Sequence, residues 1–424
     1  MNKNFLALGL AAALLAPQVA GAEGFAINEW SAEGVAMGGA RMFAEDDAAN
    51  VAYNPASITK VKGEVMKSSY TYLSPHGNYK LYDSNNDEIK GEPTHNKVHA
   101  GWAVGSYYVK QINDKEWFGI GAFPRFAMVS EFERESMASS NAFFSKLNGV
   151  SVTPTYAHKF DKKWSAAVGA EINYVGLELQ KNLVIPTAGV NGTTQIEGES
   201  YALGWNAAAN YAFDDKNEIG VVYRSRIKHS LEADLKGYGT KSPASPLVGS
   251  NDVFGNAYGV VTLPDSWDIG YNHKFDKKTR LELKATRTNW STYDALNVYF
   301  DKSLVGIPGI AESSPSAKNW SNGWRYAIGL EHNFSDKYAA MAGFAFDESS
   351  IPHDGGDFMV PTGLRRTYSI GARYNDKKQT VAVALGWMDV GNLDFAGHAT
   401  DAYKSAHAYD SFTKIASISY QRKF

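Results

Sequence analysis

Along most of the chain, apolar side chains alternate with polar or small ones. Trp324, Tyr326, Ile328, Leu330 and Phe334 share one parity, and Arg325, Ala327, Gly329 and Glu331 share the other. Ile219, Val221, Tyr223 and Ile227 oppose Gly220, Val222, Arg224, Arg226 and Lys228. Val381, Val383, Leu385 and Trp387 oppose Ala382, Ala384 and Gly386, and Tyr368, Ile370, Ala372 and Tyr374 oppose Arg365, Thr367, Ser369 and Arg373. A period of two predicts β-strands with two chemically different faces. In a soluble sandwich the apolar face would turn inward. Here it carries aromatics near the turns and aliphatics mid-strand, while the opposite face holds Gly, Ala and several charges. That distribution fits lipid outside, a lumen inside and an aromatic girdle at the interface.

Short polar turns punctuate these stretches at Asn113–Trp117, Phe160–Trp164, Phe213–Asn217, Phe275–Lys278, Phe334–Tyr338 and Tyr374–Lys378. Each holds an Asp and a Lys, and Asp and Asn suit tight turns because their side chains bond nearby backbone. Six such turns separate seven hairpins and predict fourteen antiparallel strands, the even number of bacterial outer-membrane barrels. The opposite connections are longer, at about 74–96, 129–148, 182–197, 230–256, 301–319, 349–363 and 391–411. Short turns on one side and long loops on the other match the periplasmic and extracellular sides of such a barrel. The last strand, Phe412–Phe424, alternates and ends on an aromatic, with Arg422 on the apolar parity, where it would snorkel to the interface.

Residues 1–22 read as a secretory signal peptide. Lys3 precedes an apolar run, Phe5–Ala16, and Ala20-Gly21-Ala22 is a small-x-small cleavage pattern. The run is too short for a membrane span, which needs about 20 residues. Residues 23–62 lack period-two patterning but hold Phe25, Ile27, Trp30, Val35, Met37, Phe43, Val51 and Tyr53. We read them as a packed, mostly helical and irregular hatch. Residues 63–424 form the barrel.

Composition narrows the function. The chain has 424 residues with 42 basic and 45 acidic side chains, a balance that argues against a nucleic-acid partner. It has no cysteine, which excludes disulfides, Cys-ligated metals and a thiol nucleophile. No hydrolase, metalloprotease, phosphate-loop or dinucleotide signature occurs. His95 and His99 are four apart, ~13 Å on a strand and too far for one metal. We therefore expect no catalytic residues, no metal and no cofactor. An outer-membrane enzyme assembled from distant strands remains the rival class, beside a general porin.

The segment Gly24-Phe25-Ala26-Ile27-Asn28-Glu29-Trp30-Ser31-Ala32-Glu33-Gly34, followed by Asp46-Asp47-Ala48-Ala49-Asn50-Val51-Ala52-Tyr53-Asn54-Pro55-Ala56, resembles the FadL family of outer-membrane long-chain fatty acid transporters in Gram-negative bacteria. Weaker matches are Gly204-Trp205-Asn206-Ala207, Tyr223-Arg224-Ser225, Leu263–Trp267, Asn289-Trp290-Ser291 and Phe346–Ser349. The resemblance implies an all-β, 14-stranded antiparallel transmembrane barrel plugged by an N-terminal hatch. Phe25, Asn28, Asn54, Pro55 and Ala56 are the hatch positions it marks. It implies passive diffusion of a hydrophobic ligand, hatch rearrangement, and sideways exit into outer-membrane lipid at a kink in the third strand. That strand is Trp117–Met128 here, and Pro124, lacking a ladder N–H, interrupts it. Gly121, Ala122, Phe123, Pro124 and Arg125 are the lateral-opening candidates, an ordinary bulge being the alternative. Pro154 in the next strand faces the same break or is an unrelated edge device.

The ligand is a long-chain fatty acid or, as in other branches of the family, a neutral aromatic or aliphatic hydrocarbon. Two basic positions of the fatty-acid-binding prototype fall here at Gly176 and Asn297. Arg365 matches a family arginine, and Arg224, Arg226 and Lys228 face the lumen by parity. These four are the carboxylate candidates, with a lumen salt-bridge network involving Glu331 and Asp347 as the alternative. We expect a monomer in the outer membrane.

Overall fold

The computed structural model describes residues 24–91, 95–98, 100–185, 190–239, 253–301, 313–397 and 401–424. The signal-peptide residues and His99 lie outside them.

Among the described residues, fourteen antiparallel strands form one closed sheet. They are β1 (Glu64–Tyr82), β2 (Gly101–Gln111), β3 (Glu116–Glu131), β4 (Phe144–Lys159), β5 (Trp164–Ile185) and β6 (Val190–Ala212). Then follow β7 (Asn217–Arg224, resuming as Ile227–Gly239), β8 (Val253–Leu263 and Ser266–Lys274) and β9 (Thr279–Thr288 and Ala295–Phe300). The circuit ends with β10 (Ser313–Ala317 and Gly323–Asn333), β11 (Tyr338–Asp347), β12 (Arg365–Asn375), β13 (Gln379–Val390 and Leu393–Ala396) and β14 (Ser405–Lys423). β14 pairs with β1 from Val65↔Lys423 to Tyr82↔Ser405, so the last strand closes the sheet on the first.

The short turns share one device. Asp161 Oδ1 accepts the N–H groups of Lys163 and Trp164, at 2.7 and 2.8 Å. Asp214, Asp276 and Asp376 repeat that geometry, and Ser335 Oγ takes the same place in its turn. On the long-loop side the strands run further than the alternation marked. β5 and β6 stay paired to Ile185↔Val190, so most of 182–197 is ladder rather than loop.

The outward parity is apolar: Val168, Leu203, Trp205, Ile269, Tyr326, Ile370, Leu385 and Ile418 are all exposed. An uncovered aliphatic surface with Trp and Tyr at its margins is what lipid requires of a barrel exterior. The inward parity carries the polar groups, among them Arg224, Asp268, Glu282, Lys284, Arg325 and Glu331, all buried.

The hatch fills the lumen from the turn side. α1 (Ala32–Ala36) starts at Ser31, whose Oγ accepts the Gly34 N–H at 3.1 Å. A Cβ on Gly34 would lie 1.8 Å from the Tyr53 hydroxyl, so glycine is required there. That hydroxyl accepts the N–H groups of Trp30 and Ser31 and donates to the Asn28 carbonyl, pinning the entry segment to α2 (Asn50–Tyr53). Asn54 then caps a 3-10 turn, Pro55–Lys60, that begins on Pro55.

Candidate functional site

Two features define the site: a gap in the wall beside the hatch, and an apolar chamber above it. The gap lies between β2 and β3. Their ladder runs from Gln111↔Trp117 to Ser106↔Ala122 and stops, while β2 stays paired to β1 as far as Gly101. β3 shifts register against β4 between Pro124 and Phe126. From Gly121 to Met128 every β3 residue is buried, so the strand has lost its two-faced alternation and bends into the lumen.

The bend frees backbone groups, and the hatch satisfies them. Ile27 N–H donates to the Arg125 carbonyl at 2.8 Å, and Ala127 N–H donates to the Phe25 carbonyl at 2.8 Å. The Trp30 indole N–H donates to the Pro124 carbonyl at 2.5 Å. The hatch entry thus lies along β3 where β2 has left it. Nη1 of Arg125 donates to both carboxylate oxygens of Glu171, at 2.8 and 3.0 Å, and Ser151 Oγ donates to the same carboxylate. Pro154 sits opposite Ile120, and the β4–β5 ladder skips Thr153 and Pro154. Its missing N–H therefore loosens the β5 side, away from the β2–β3 gap.

Above the hatch the lumen is lined by rings. Phe25 makes edge contacts with Phe126, Trp290 and Tyr293 and a tilted one with Trp320, at centroid distances of 4.7 to 6.0 Å. The segment between β11 and β12 folds in from the loop side and buries Phe358 against Tyr79, Phe132, Phe395 and Tyr403. A cavity of about 80 Å³ remains beside it, lined chiefly by Tyr79, Phe132, Met359, Val360, Met388 and Val390. Arg365 stands on its wall, buried, with Nη2 donating to the Gly24 carbonyl at 3.2 Å and Nε to Thr362 Oγ1 at 2.8 Å.

The other carboxylate candidates lie elsewhere. Arg224 is buried, pairs with Asp268 at 2.6 Å and donates to the Ala52 carbonyl of the hatch. Arg226 and Lys228 were expected in the lumen by parity, and the structure corrects this: both are exposed on the outer face. The strand breaks at Ser225, where Ser225 N–H bonds the Trp205 carbonyl and Ser225 Oγ accepts the Trp205 N–H. The inserted residue exchanges the faces, as a bulge does, so Ile227 and His229 turn inward instead. Glu331 and Asp347 do form lumen ion pairs, but with Arg41, Arg280, Arg373 and Arg325. Of the hatch positions, Phe25 enters the aromatic cluster and Asn28 receives the Tyr53 hydroxyl. Asn54 donates to Asn210 of β6 at 2.7 Å and accepts the Ala56 N–H across Pro55. The alternation pointed to none of Phe126, Trp290, Tyr293, Trp320 and Glu171 as site residues.

On the turn side the hatch meets the wall through buried charge. Arg41 bridges Asp47 of the hatch and Glu331 of β10, at 3.1 and 2.9 Å, and Lys67 of β1 bridges Glu33 and Asp47. Burial alone would push the Asp47 carboxyl up, but Lys67 and Arg41 together hold it below the usual carboxylate range. A Cβ on Gly343 of β11 would lie 2.2 Å from the Gly38 nitrogen, so the hatch backbone rests directly on the wall there.

A closed barrel with a lipid-compatible exterior, a fitted hatch and an apolar lumen chamber defines a plugged outer-membrane channel for hydrophobic molecules. The chain belongs to the family described as outer membrane protein transport protein (OMPP1/FadL/TodX), whose model matches residues 13–424. It is 23% identical to the long-chain fatty acid transport protein of Escherichia coli K12, over 90% of this chain and 91% of that one. A Pseudomonas aeruginosa FadL homologue superposes with a TM-score of 0.81 at 17% identity, covering 95% of this chain and 100% of that one. The Pseudomonas putida toluene transporter TodX gives 0.70 at 16% identity over 95% and 100%. The protein is therefore a multi-pass β-barrel of a Gram-negative outer membrane that moves hydrophobic small molecules, and not an enzyme.

Proposed function

We propose that this chain imports long-chain fatty acids as a monomer, by diffusion through the lumen chamber and sideways release between β2 and β3. The observation that carries the route is the hatch entry lying on the freed edge of β3. Withdrawal of Gly24–Trp30 would uncover Pro124, Arg125 and Ala127 and leave an opening bounded by Gly121, Ala122 and Phe123. Apolar ligands gain from this route because they never cross bulk water, to which exposing apolar surface costs about 25 cal/mol per Å². The carboxylate would take Arg365, whose guanidinium stands at the edge of an apolar cavity and touches the hatch at Gly24. A charge-assisted hydrogen bond in a dry site is a strong one. The similarity to a fatty acid transport protein supports the same ligand class.

A neutral hydrocarbon is the second reading. The ring cluster around Phe25 favours it, as does the absence of a cation at Gly176 and Asn297. Equilibrium binding of a fluorescent fatty acid to the purified barrel, competed with oleate and with an alkylbenzene, separates the two. Displacement by oleate alone supports the fatty acid. Displacement mainly by the alkylbenzene moves the function to neutral hydrocarbons.

A further inference from the structure

The wall is also interrupted between β6 and β7. β6 pairs with β7 from Ala212↔Glu218 to Asn206↔Arg224, and again from Glu199↔Glu232 to Gly192↔Gly239. Between these stretches, Ser200 to Gly204 pair only with β5 and Ile227 to Leu231 pair only with β8, while Trp205 is tied to Ser225 of β7 at the turn-side end. Ser200 to Gly204 and Ile227 to Leu231 stay extended, so their facing backbone groups have no ladder partner across the seam. In lipid such groups cost several kcal/mol each, and exposed non-paired backbone is tolerated only beside protein or water.

The seam joins two apolar surfaces. On its outer side Leu203 and Tyr201 are 77% and 70% exposed, more than any other large hydrophobic residue described. On its inner side Ile227 and Leu231 belong to the same buried cluster as Phe25, Phe126 and Trp290. One side chain separates them: a Cβ on Gly204 would lie 2.8 Å from Ile227 Cγ1, so Ile227 packs against the bare backbone of the opposite strand. The seam sits at the outer end of the apolar band, since Glu197 and Glu199 follow as exposed residues on the same face of β6. Arg226 and Lys228 stand exposed on the β7 lip, Arg226 also reaching Asp265 at 3.1 Å.

We propose that the β6–β7 seam is an entry port through which an amphiphile passes from the outer leaflet into the lumen chamber. The tail slides between Leu203 and Ile227 while the head group stays against Arg226 and Lys228. The head-group part rests on the fatty acid reading, and the port itself does not. Exit between β2 and β3 would then be the second of two sideways steps.

Because the chain has no cysteine, a pair introduced across the seam is the only thiol pair present. Tyr201→Cys with Ser230→Cys, joined by a short cleavable bis-thiosulfonate, staples the seam. Val168→Cys with Ala207→Cys staples the continuous β5–β6 ladder as a control. Uptake into cells is followed with whichever labelled probe, fatty acid or alkylbenzene, the unstapled barrel carries. The seam staple should slow uptake at least fivefold, and reduction should restore it, with the control staple without effect. Uptake equal to that of the control staple overturns the port. A wrong ligand class shows instead in the unstapled barrel, as a failure to carry the fatty acid. Ile227→Ala should speed uptake, and an unchanged rate would mean that this side chain is no gate.

Discussion

On the periplasmic side the hatch meets the barrel through charge: Arg41 with Glu331, Lys67 with Glu33 and Asp47, Arg325 with the Gly38 carbonyl. On the outer side it meets the barrel through rings, Phe25 among Phe126, Trp290, Tyr293 and Trp320. The two contacts respond differently to disturbance. A buried ion pair is directional, and losing one partner strands the other in a dry site. A ring cluster is held by area and dispersion, so an apolar ligand of similar volume can replace part of it at little cost. The periplasmic contact is suited to hold, and the outer contact is suited to exchange. Gly24–Trp30, which covers the β2–β3 gap, joins the exchangeable half.

The largest effect is expected at the holding half. Glu331 accepts from Arg41, Arg280 and Arg373. Glu331→Ala would leave two buried guanidinium groups, Arg41 and Arg280, and the half-buried Arg373 with less compensation, costing about 3–5 kcal/mol as broken buried pairs do. We expect a loosened hatch and a steady ion conductance in single-channel recordings where the parent barrel is closed. A variant that stays closed would show that apolar packing alone seats the hatch.

At the boundary between the halves, Pro124→Ala restores a backbone N–H to the kink of β3. A straighter strand can extend its ladder with β2 beyond Ser106↔Ala122. Uptake should fall several-fold with ligand binding retained. Normal uptake would place the exit elsewhere, and the β6–β7 seam would be the next place to look.

Within the exchanging half, Arg365→Leu removes a guanidinium but keeps an apolar side chain. A lost hydrogen bond to a charged group costs about 1.5–3 kcal/mol, roughly a tenfold or greater loss of affinity. Oleate binding should weaken by that factor and alkylbenzene binding should hold. Equal weakening of both would assign Arg365 to the hatch, through Gly24, rather than to the ligand.

Much of this was legible in the residues. Fourteen strands follow from six repeats of one Asp-Lys turn, because the turn is a local motif whose hydrogen bonds span only two or three residues. The lumen side of β10 was legible for the same reason: nothing interrupts its alternation from Gly323 to Asn333. Arg226 and Lys228 were misplaced because one inserted residue at Ser225 exchanges the faces, and a bulge leaves no mark in a count of period two. The ring cluster was illegible for a different reason. Trp290 and Trp320 come from breaks in β9 and β10, outside any alternation, and meet Phe25 only when the barrel closes. Arg125 could be placed at the kink, but its partner Glu171 lies two strands away.

The smallest expected effect lies at the rim below the holding half, where the turns use the same polar logic in open water. The backbone N–H groups of Trp164 and Lys163 hold the Asp161 carboxyl below its ordinary value, and those of Lys278 and Thr279 do the same for Asp276. A carboxyl whose pKa is depressed on folding contributes stability above its unfolded value, about 3.9 for Asp. That contribution is lost as pH falls through the lower folded value. The turns should therefore be unchanged between pH 8 and 5 and loosen only in stronger acid, seen as faster amide exchange at Lys278 and Thr279 after correction for the intrinsic rate. Because each bond is exposed to water, the barrel should stay closed while this happens. Loosening already at pH 5, where these carboxylates are still ionised, would show that the turns are not held by their aspartates. Opening of the hatch at the same pH would tie the rim to the buried pairs above it, and the periplasmic half would then act as one unit.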